Sequence, residues 1–158
     1  MMTTKISVEP YVAEYARGKY FDDKTCSVKF PSSLDLYVLI WDLMQRRPVD
    51  CPVDRGNLEF CLPDRRQGKA PEIYNYLSER SAKVIERKLK LMLWAELHEF
   101  IDEQKHLHGV QFKESVYIFM TRYGLESITE DALLKHYQRF RDRTRRRSKR
   151  EYIRRKNR

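Results

Sequence analysis

The sequence predicts a mainly α-helical domain, and three observations support that fold class. The longest periodic segment, Ser81–His106, carries apolar residues at three- and four-residue spacing along one helical face. Four shorter segments show the same periodicity, whereas alternating strand patterns are confined to two short stretches. The length of 158 residues and the hydrophobic content of 41% suit one domain with its own core. We therefore expect about five helices around a long central helix, a small two-stranded β-ribbon and a basic C-terminal helical tail.

A first helix and both strands are predicted before residue 63. Glu9–Arg17 has a helical apolar face, Pro10 suits the first helical position, and Gly18 is placed to end the helix. Cys26–Phe30 and Asn57–Leu62 alternate apolar and polar residues, which predicts strands. Because a two-stranded ribbon is marginal alone, we expect these strands to pair and to rest on the core helices.

A second buried helix is predicted between the two strands. Residues 32–46 are apolar nearly all round, and Ser32 and Asp35 have the spacing of a capping box, with Asp35 in place of the usual glutamate. Pro71–Leu77 predicts one or two further helical turns. We expect both segments to pack around the long helix.

The long helix has an N-cap candidate in Ser78 and a stop in Gly109. Its middle, Leu91–Ala95, is apolar on every side. Since a helix that is apolar all round is a buried helix, we expect this stretch to be covered on all sides.

Two more helices complete the predicted domain. Phe112–Tyr123 has one apolar face, and Gly124 follows it where a helix end favours a left-handed residue. Ser127 and Glu130 have capping-box spacing and are expected to start the last helix, whose apolar stripe stops at Phe140. A single mainly helical domain therefore spans residues 1–140, and residues 141–158 form a basic tail.

The last helix pair has the layout of a helix-turn-helix unit, with a turn at residues 124–127. Apolar residues fill the expected positions around the turn, but Glu130 falls where a buried aliphatic residue is usual, and Met120 where a small one is usual. Ordinary helical-hairpin packing is the commoner explanation of such a pair. If the second helix reads DNA, the polar side chains that could reach it are Thr129, Glu130, Lys135, Gln138 and Arg139.

The excess charge is concentrated at the C-terminus. The chain carries a net charge of +9, yet residues 139–158 alone hold 12 Lys and Arg against two acids. Residues 1–138 are nearly neutral, with 20 basic and 21 acidic side chains. Ten of the 12 tail cations are arginine, which binds phosphates and guanine edges bidentately and stacks on bases. This asymmetry predicts a nucleic-acid-binding tail on a neutral domain.

We therefore expect a non-enzymatic nucleic-acid-binding protein that favours DNA over RNA. Like charges at i, i+4 oppose helix formation, so residues 145–158 are expected to be disordered or frayed until phosphates neutralise them. The nucleic-acid contacts are expected at Lys135, Gln138, Arg139, Arg141, Arg143, Arg145, Arg146, Arg147, Lys149, Arg150, Arg154, Arg155, Lys156 and Arg158. Arg65, Arg66 and Lys69 could add secondary phosphate contacts from a polar loop, although an ordinary surface loop explains them more simply.

Two other functions compete with nucleic-acid binding. An adaptor or assembly subunit could dock an acidic protein or a ribonucleoprotein through the same tail. A metal-dependent nuclease could use the acidic side chains of the long helix, which are Glu96, Glu99, Asp102 and Glu103. No second helix offers matching Glu-x-x-His ligands, and a solvated outer face explains these carboxylates equally well. We therefore assign no catalytic residue, metal ion or cofactor.

The cysteines and the short apolar runs of the sequence indicate the cellular compartment. Cys26, Cys51 and Cys61 include no C-x-x-C pair and cannot form a closed disulfide framework, so reduced thiols are expected. The N-terminus lacks the apolar segment of a signal peptide, and the run Leu36–Trp41 is too short to span a bilayer. We expect a cytoplasmic protein, nucleoid-associated or nuclear if it binds DNA, without a membrane partner; the sequence leaves its oligomeric state undefined.

Overall fold

The computed structural model describes residues 1–156 and is mainly α-helical, as predicted. Its helices are α1 (Pro10–Tyr20), α2 (Asp35–Leu43), α3 (Glu79–His108), α4 (Phe112–Tyr123) and α5 (Glu130–Lys156). Its strands are β1 (Thr3–Ile6), β2 (Phe21–Asp22), β3 (Ser27–Val28) and β4 (Leu58–Cys61).

The chain forms two compact units. The first comprises Met1–Leu93 with Tyr123–Ser127, and the second comprises Trp94–Arg122 with Ile128–Arg158. Helix α3 contributes its N-terminal half to the first unit and its C-terminal half to the second.

The sheet has four strands in the order β1-β4-β3-β2, so the predicted two-stranded ribbon is wrong in extent. The two predicted strands do meet, but only through a short parallel contact in which Val28 lies opposite Phe60. Cys26 has a positive φ of 48°, which turns the chain and delays the start of β3 to Ser27. Strand β1 pairs with β4 in antiparallel orientation and forms one edge of the sheet.

The first unit has one apolar core, to which the sheet, α1, α2 and the first half of α3 contribute. Its buried members include Ile6, Val12, Ala16, Val28, Leu36, Ile40, Leu58, Phe60, Ile85 and Leu89. Helix α1 passes through Gly18 and ends at Tyr20, so Gly18 does not end it as predicted. A Cβ atom at Gly18 would clash with the carbonyl oxygen of Tyr123, so the glycine permits a close backbone approach.

Helix α2 is shorter than the predicted segment 32–46. The predicted Ser32 cap is wrong, because Leu34 is the N-cap residue and makes no side-chain hydrogen bond to the helix. The helix ends where Met44 becomes extended, and Gln45 then pairs with Tyr76 in an isolated β-bridge. Residues 71–73 form a turn rather than the predicted helical turns, and the chain reaches Tyr76 in extended form.

Helix α3 extends two residues beyond the predicted segment at each end. The backbone N–H of Ser81 donates to Ser78 Oγ at 3.2 Å, which confirms the predicted cap, and Gly109 follows the helix with φ of 63°. The expectation that Leu91–Ala95 is covered on all sides is wrong, because the Leu91 side chain is 61% exposed.

Helix α4 has the predicted bounds, and Gly124 follows it with φ of 62°. Helix α5 begins later than predicted, at Glu130. The backbone N–H of Ala132 donates to Thr129 Oγ1 at 3.2 Å, so Thr129 caps α5 and the predicted Ser127–Glu130 capping box is wrong.

Candidate nucleic-acid interface

Helix α5 has two halves with different surroundings. The packed half, Glu130–Arg141, includes the buried Leu133 and Tyr137, whereas every side chain of the exposed half, Asp142–Lys156, is exposed. The exposed half contains nine Lys and Arg residues and two acids. At a rise of about 1.5 Å per residue it is about 22 Å long.

The expected disorder from residue 145 onwards is wrong for the described residues, because α5 continues through Lys156. Extending a helix from an existing turn costs far less than nucleating one, so the packed half supplies the nucleus for the exposed half. The last predicted contact, Arg158, lies outside the described residues.

The packed half meets α3 and α4 through one apolar face. The ring of Tyr137 lies 5.3 Å from the ring of Phe112 on α4. The Tyr137 hydroxyl donates a hydrogen bond to the Asp102 carboxylate on α3, and burial together with this carboxylate raises the pKa of Tyr137. This directed bond fixes the rotation of α5 about its own axis.

Four rings from α3 and α5 form a stacked column that was not predicted from the sequence. Trp94 stacks on His136 with centroids 3.7 Å apart, and His98 stacks on Phe140 with centroids 4.1 Å apart. His98 Nε2 and His136 Nδ1 lie 3.0 Å apart and share a hydrogen bond. The sequence did carry a signal for this ring column, because each helix contributes two rings at i, i+4 spacing.

The surroundings of the ring column favour the neutral form of both histidines. Burial, the neighbouring His136 and the cationic Arg143 lower the pKa of His98 to about 4, against the opposing effect of Asp102. Burial, followed by Arg143 and Arg139, lowers the pKa of His136. Neutral imidazoles stack without charge repulsion, so the column holds α5 in place beside its first arginines.

Arg141 marks the end of the packed half. Its guanidinium lies 4.6 Å from the ring centroid of Phe112 and 5.9 Å from that of Tyr137. The other predicted contacts of the packed half, Lys135, Gln138 and Arg139, are exposed. The structure therefore gives Arg141 a packing role beside the interface role that the sequence predicted.

The exposed half brings together nine of the predicted nucleic-acid contacts. Eight of them follow two stripes along the helix, one formed by Arg143, Arg146, Arg147, Arg150 and Arg154, the other by Arg145, Lys149 and Lys156, and Arg155 lies between the two stripes. Within residues 1–156, none of these cations forms an ion pair with a carboxylate. Their charge is therefore available to a partner.

A third line of side chains lies between the two cationic stripes. Thr144, Ser148, Glu151 and Arg155, here called the polar stripe, continue the three- and four-residue spacing of the packed face. The Thr144 hydroxyl donates to the carbonyl oxygen of Phe140 at 3.0 Å, and the Ser148 hydroxyl donates to that of Thr144 at 3.2 Å. Past Phe140, the face of α5 that packs in the packed half carries polar and charged side chains instead of apolar ones.

The turn before α5 differs from that of a DNA-reading helix-turn-helix. It covers residues 124–129, whereas the motif uses about three or four turn residues. The first turn of α5 contains Glu130 and Asp131, where a recognition helix presents side chains to bases. These features favour ordinary packing of the helix pair over a DNA-reading helix-turn-helix.

The turn before α5 is also occupied by a carboxylate from α1. The backbone N–H groups of Glu126 and Ser127 donate to Glu14 Oε2 at 2.9 and 3.1 Å, and the Ser127 hydroxyl donates to Glu14 Oε1. These bonds outweigh the cost of burial and lower the pKa of Glu14. Ser127 is thus committed to Glu14, which explains why it does not cap α5.

The predicted secondary phosphate contacts lie in the first unit. The Lys69 ammonium donates to the carbonyl oxygens of Trp41 and Asp42, in the last turn of α2. The Arg65 guanidinium lies 4.9 Å from the Trp41 ring centroid, and Arg66 is exposed. Lys69 and Arg65 therefore have structural partners within this unit.

The acidic side chains of α3 do not come together as a metal site. Across residues 1–156, no group of three or more His, Cys, Asp or Glu side chains is placed to hold a metal ion. Asp102 accepts the hydrogen bond from Tyr137, while Glu99 and Glu103 are exposed. The described residues thus offer no ligand set for the nuclease alternative.

Comparisons of the chain with protein-family models, with curated proteins and with solved structures found no match. In the described part of the chain, no helix has the length and apolar character needed to cross a bilayer.

Proposed function

We propose that this protein binds nucleic acid, without catalysing a reaction on it, through the exposed half of α5. The observation that carries the proposal is the set of nine cations on 15 consecutive helical residues, none paired with a carboxylate within residues 1–156. Phosphate binding by such cations releases condensed counterions, which drives association. Arginine dominates the set, and its planar guanidinium suits phosphates and base edges better than an ammonium does.

The packed half supports this function by holding the binding segment in one orientation. Tyr137 is fixed by Asp102, and the ring column fixes His136 and Phe140. A segment that is already helical loses less conformational entropy on binding than a disordered tail would. We therefore expect tighter binding than the charge of a flexible tail alone would provide.

The proposal is tested by substituting Arg146, Arg147 and Arg150 with glutamine in the full chain. The matched control substitutes three exposed cations of α3, Arg80, Lys83 and Arg87, in the same way. Fluorescence anisotropy with a labelled DNA duplex and an RNA hairpin is measured across a salt series. Because each lost phosphate contact reduces the log–log salt slope by about 0.9, the tail variant should show a slope shallower by about 2 to 3, whereas the control keeps the wild-type slope.

Charge substitution is a cleaner test than truncation. A chain ending at Gln138 would also lose Phe140, which stacks on His98, and Arg141, which lies over Phe112. Such a truncation would confuse lost binding with lost packing.

Competition with an acidic polypeptide distinguishes the adaptor alternative. If the polypeptide binds at physiological salt and neither nucleic acid binds even at low salt, the proposal fails and the helix is a protein-docking element. Equal loss of binding in the tail variant and in the α3 control would also contradict the proposal. Cleavage of the duplex during long incubation with Mg²⁺ would contradict the proposal and support a metal-dependent nuclease instead.

A further inference from the structure

We infer that the exposed half of α5 lies in the major groove of B-form DNA, with the polar stripe facing the base edges and Glu151 selecting cytosine. This inference rests on the proposed function and names the substrate of that interface.

The shape of the exposed half suits a wide groove. An α-helix with its side chains is about 10–12 Å across, and the major groove of B-DNA is about 12 Å wide. The major groove of A-form RNA is too deep and narrow for side chains to read. A helix of about 22 Å can follow the DNA groove over several base pairs. A continuous helix of this length therefore favours a DNA duplex over regular double-stranded RNA.

The two cationic stripes suit a partner with phosphates on both sides. One stripe lies on one side of the polar stripe and consists of Arg143, Arg146, Arg147, Arg150 and Arg154; the other side carries Arg145, Lys149 and Lys156. The two phosphate backbones that border a groove would meet one stripe each. A single strand, or an acidic surface on one side, would use only one of them.

The two short side chains of the polar stripe suit close approach to base edges. Thr144 and Ser148 are short, and their hydroxyls already donate to backbone carbonyls one turn earlier. Their hydroxyl oxygens can still accept hydrogen bonds, and no long side chain holds the backbone away from a groove floor at these positions. The cationic side chains on either side are long enough to reach outwards to phosphates.

Glu151 is the residue of the polar stripe that could recognise a particular base. Its carboxylate is exposed and, within residues 1–156, forms no ion pair with the surrounding arginines. A carboxylate that faced phosphates would weaken binding, whereas one that faces the groove floor can accept a hydrogen bond from the cytosine N4 amino group. The position of Glu151 in the polar stripe therefore assigns it to base recognition.

Asp142 provides a matched control. It lies nine residues before Glu151, which is about two and a half helical turns at 3.6 residues per turn, so the two carboxylates point to opposite sides of α5. Both side chains are exposed. Glu151→Gln and Asp142→Asn each remove one negative charge, but only the first changes the side that faces the bases.

The test is selection from a pool of random-sequence DNA duplexes by the full-length protein, with sequencing of the bound fraction. Anisotropy on a selected duplex and on single-base variants then measures the preference. The wild type should favour cytosine at one position by about tenfold, and Glu151→Gln should move the preference towards adenine, which glutamine reads. Asp142→Asn should keep the cytosine preference and bind all sequences somewhat more tightly. Circular dichroism should show the same helix content and unfolding midpoint for all three proteins.

Different outcomes would contradict the groove assignment and the proposed binding of nucleic acid. If the wild type binds duplexes without base preference, or if the two variants behave alike, the groove assignment is overturned and salt-dependent binding stands. Tighter binding to an RNA hairpin than to every DNA duplex also overturns the groove assignment. If the wild type binds no nucleic acid at low salt, the proposed function itself fails.

Discussion

The two halves of α5 are helical for different reasons. The packed half is held by tertiary contacts, among them the buried Leu133, the Tyr137–Asp102 hydrogen bond and the ring column. The exposed half is held by its own backbone hydrogen bonds and by the Thr144 and Ser148 hydroxyls, which donate to carbonyl oxygens one turn earlier, and its like charges oppose the helix. One continuous helix therefore joins a segment specified by packing to a segment whose composition suits the proposed binding of nucleic acid.

The largest expected difference between the halves is in the cost of truncating a side chain. Leu133→Ala should lower the free energy of unfolding by about 2–5 kcal/mol, because it leaves a cavity in a buried site. Ser148→Ala, in the exposed half, should change it by no more than about 0.5 kcal/mol. Urea unfolding followed by circular dichroism measures both. Similar losses in the two variants would show that the exposed half is packed after all.

Removal of the helix cap should have a smaller effect. Thr129→Ala removes the acceptor of the Ala132 N–H and should cost about 1 kcal/mol. Thr144→Ala changes the same residue type in the exposed half, where the hydroxyl only donates to the carbonyl oxygen of Phe140 one turn earlier. This substitution should leave the free energy of unfolding nearly unchanged. Equal unfolding midpoints for the two variants would contradict the assignment of Thr129 as the cap.

Acid should weaken the packed half through the ring column. The pKa of His98 is lowered from 6.5 to about 4 in the folded protein, so the unfolded chain binds a proton more readily. The stability that neutral His98 contributes is therefore complete above pH 6.5 and is lost as the pH falls towards 4. His98→Leu should flatten the unfolding free energy across this window, whereas the exposed His106→Leu should follow the wild-type curve. A wild-type curve that rises on acidification would contradict this prediction.

The smallest expected effect concerns the helicity of the exposed half. Raising salt from about 0.01 M to about 1 M shortens the Debye length from about 30 Å to about 3 Å and screens the arginine repulsion. Far-UV ellipticity should then increase slightly in the wild type. It should change less in the Arg146, Arg147 and Arg150→Gln variant, which has less repulsion to screen. A salt-induced loss of ellipticity in the wild type would contradict this account.

Long apolar periodicity predicted most of the helical fold. The bounds of α4 were predicted as observed, and α3 differs by two residues at each end, because each carries several turns of a regular apolar stripe. The strands were harder to predict, because β2 and β3 contain two residues each and depend on partners distant in sequence. A two-residue strand has too little alternation to be distinguished from a loop.

Non-local contacts explain the other errors. Ser127 and Glu130 have the spacing of a capping box, but Ser127 bonds instead to Glu14 of α1. The concentration of charge in the candidate site was evident from the sequence, whereas the continuation of the helix past residue 145 was not. Charge repulsion within residues 145–158 predicted disorder. The sequence alone does not show that the start of α5 is anchored to α3, because that anchor depends on the contact between His98 and His136.

The carboxylate of Glu14 also has a consequence for the order of folding. It joins α1 to backbone groups 112 and 113 positions later in the chain. Contacts of such separation form slowly, because a long loop must close before they contribute. We expect the turn before α5 to be fixed late, after α1 and the first half of α3 have met. A substitution of Glu14 should accordingly speed unfolding more than it slows folding.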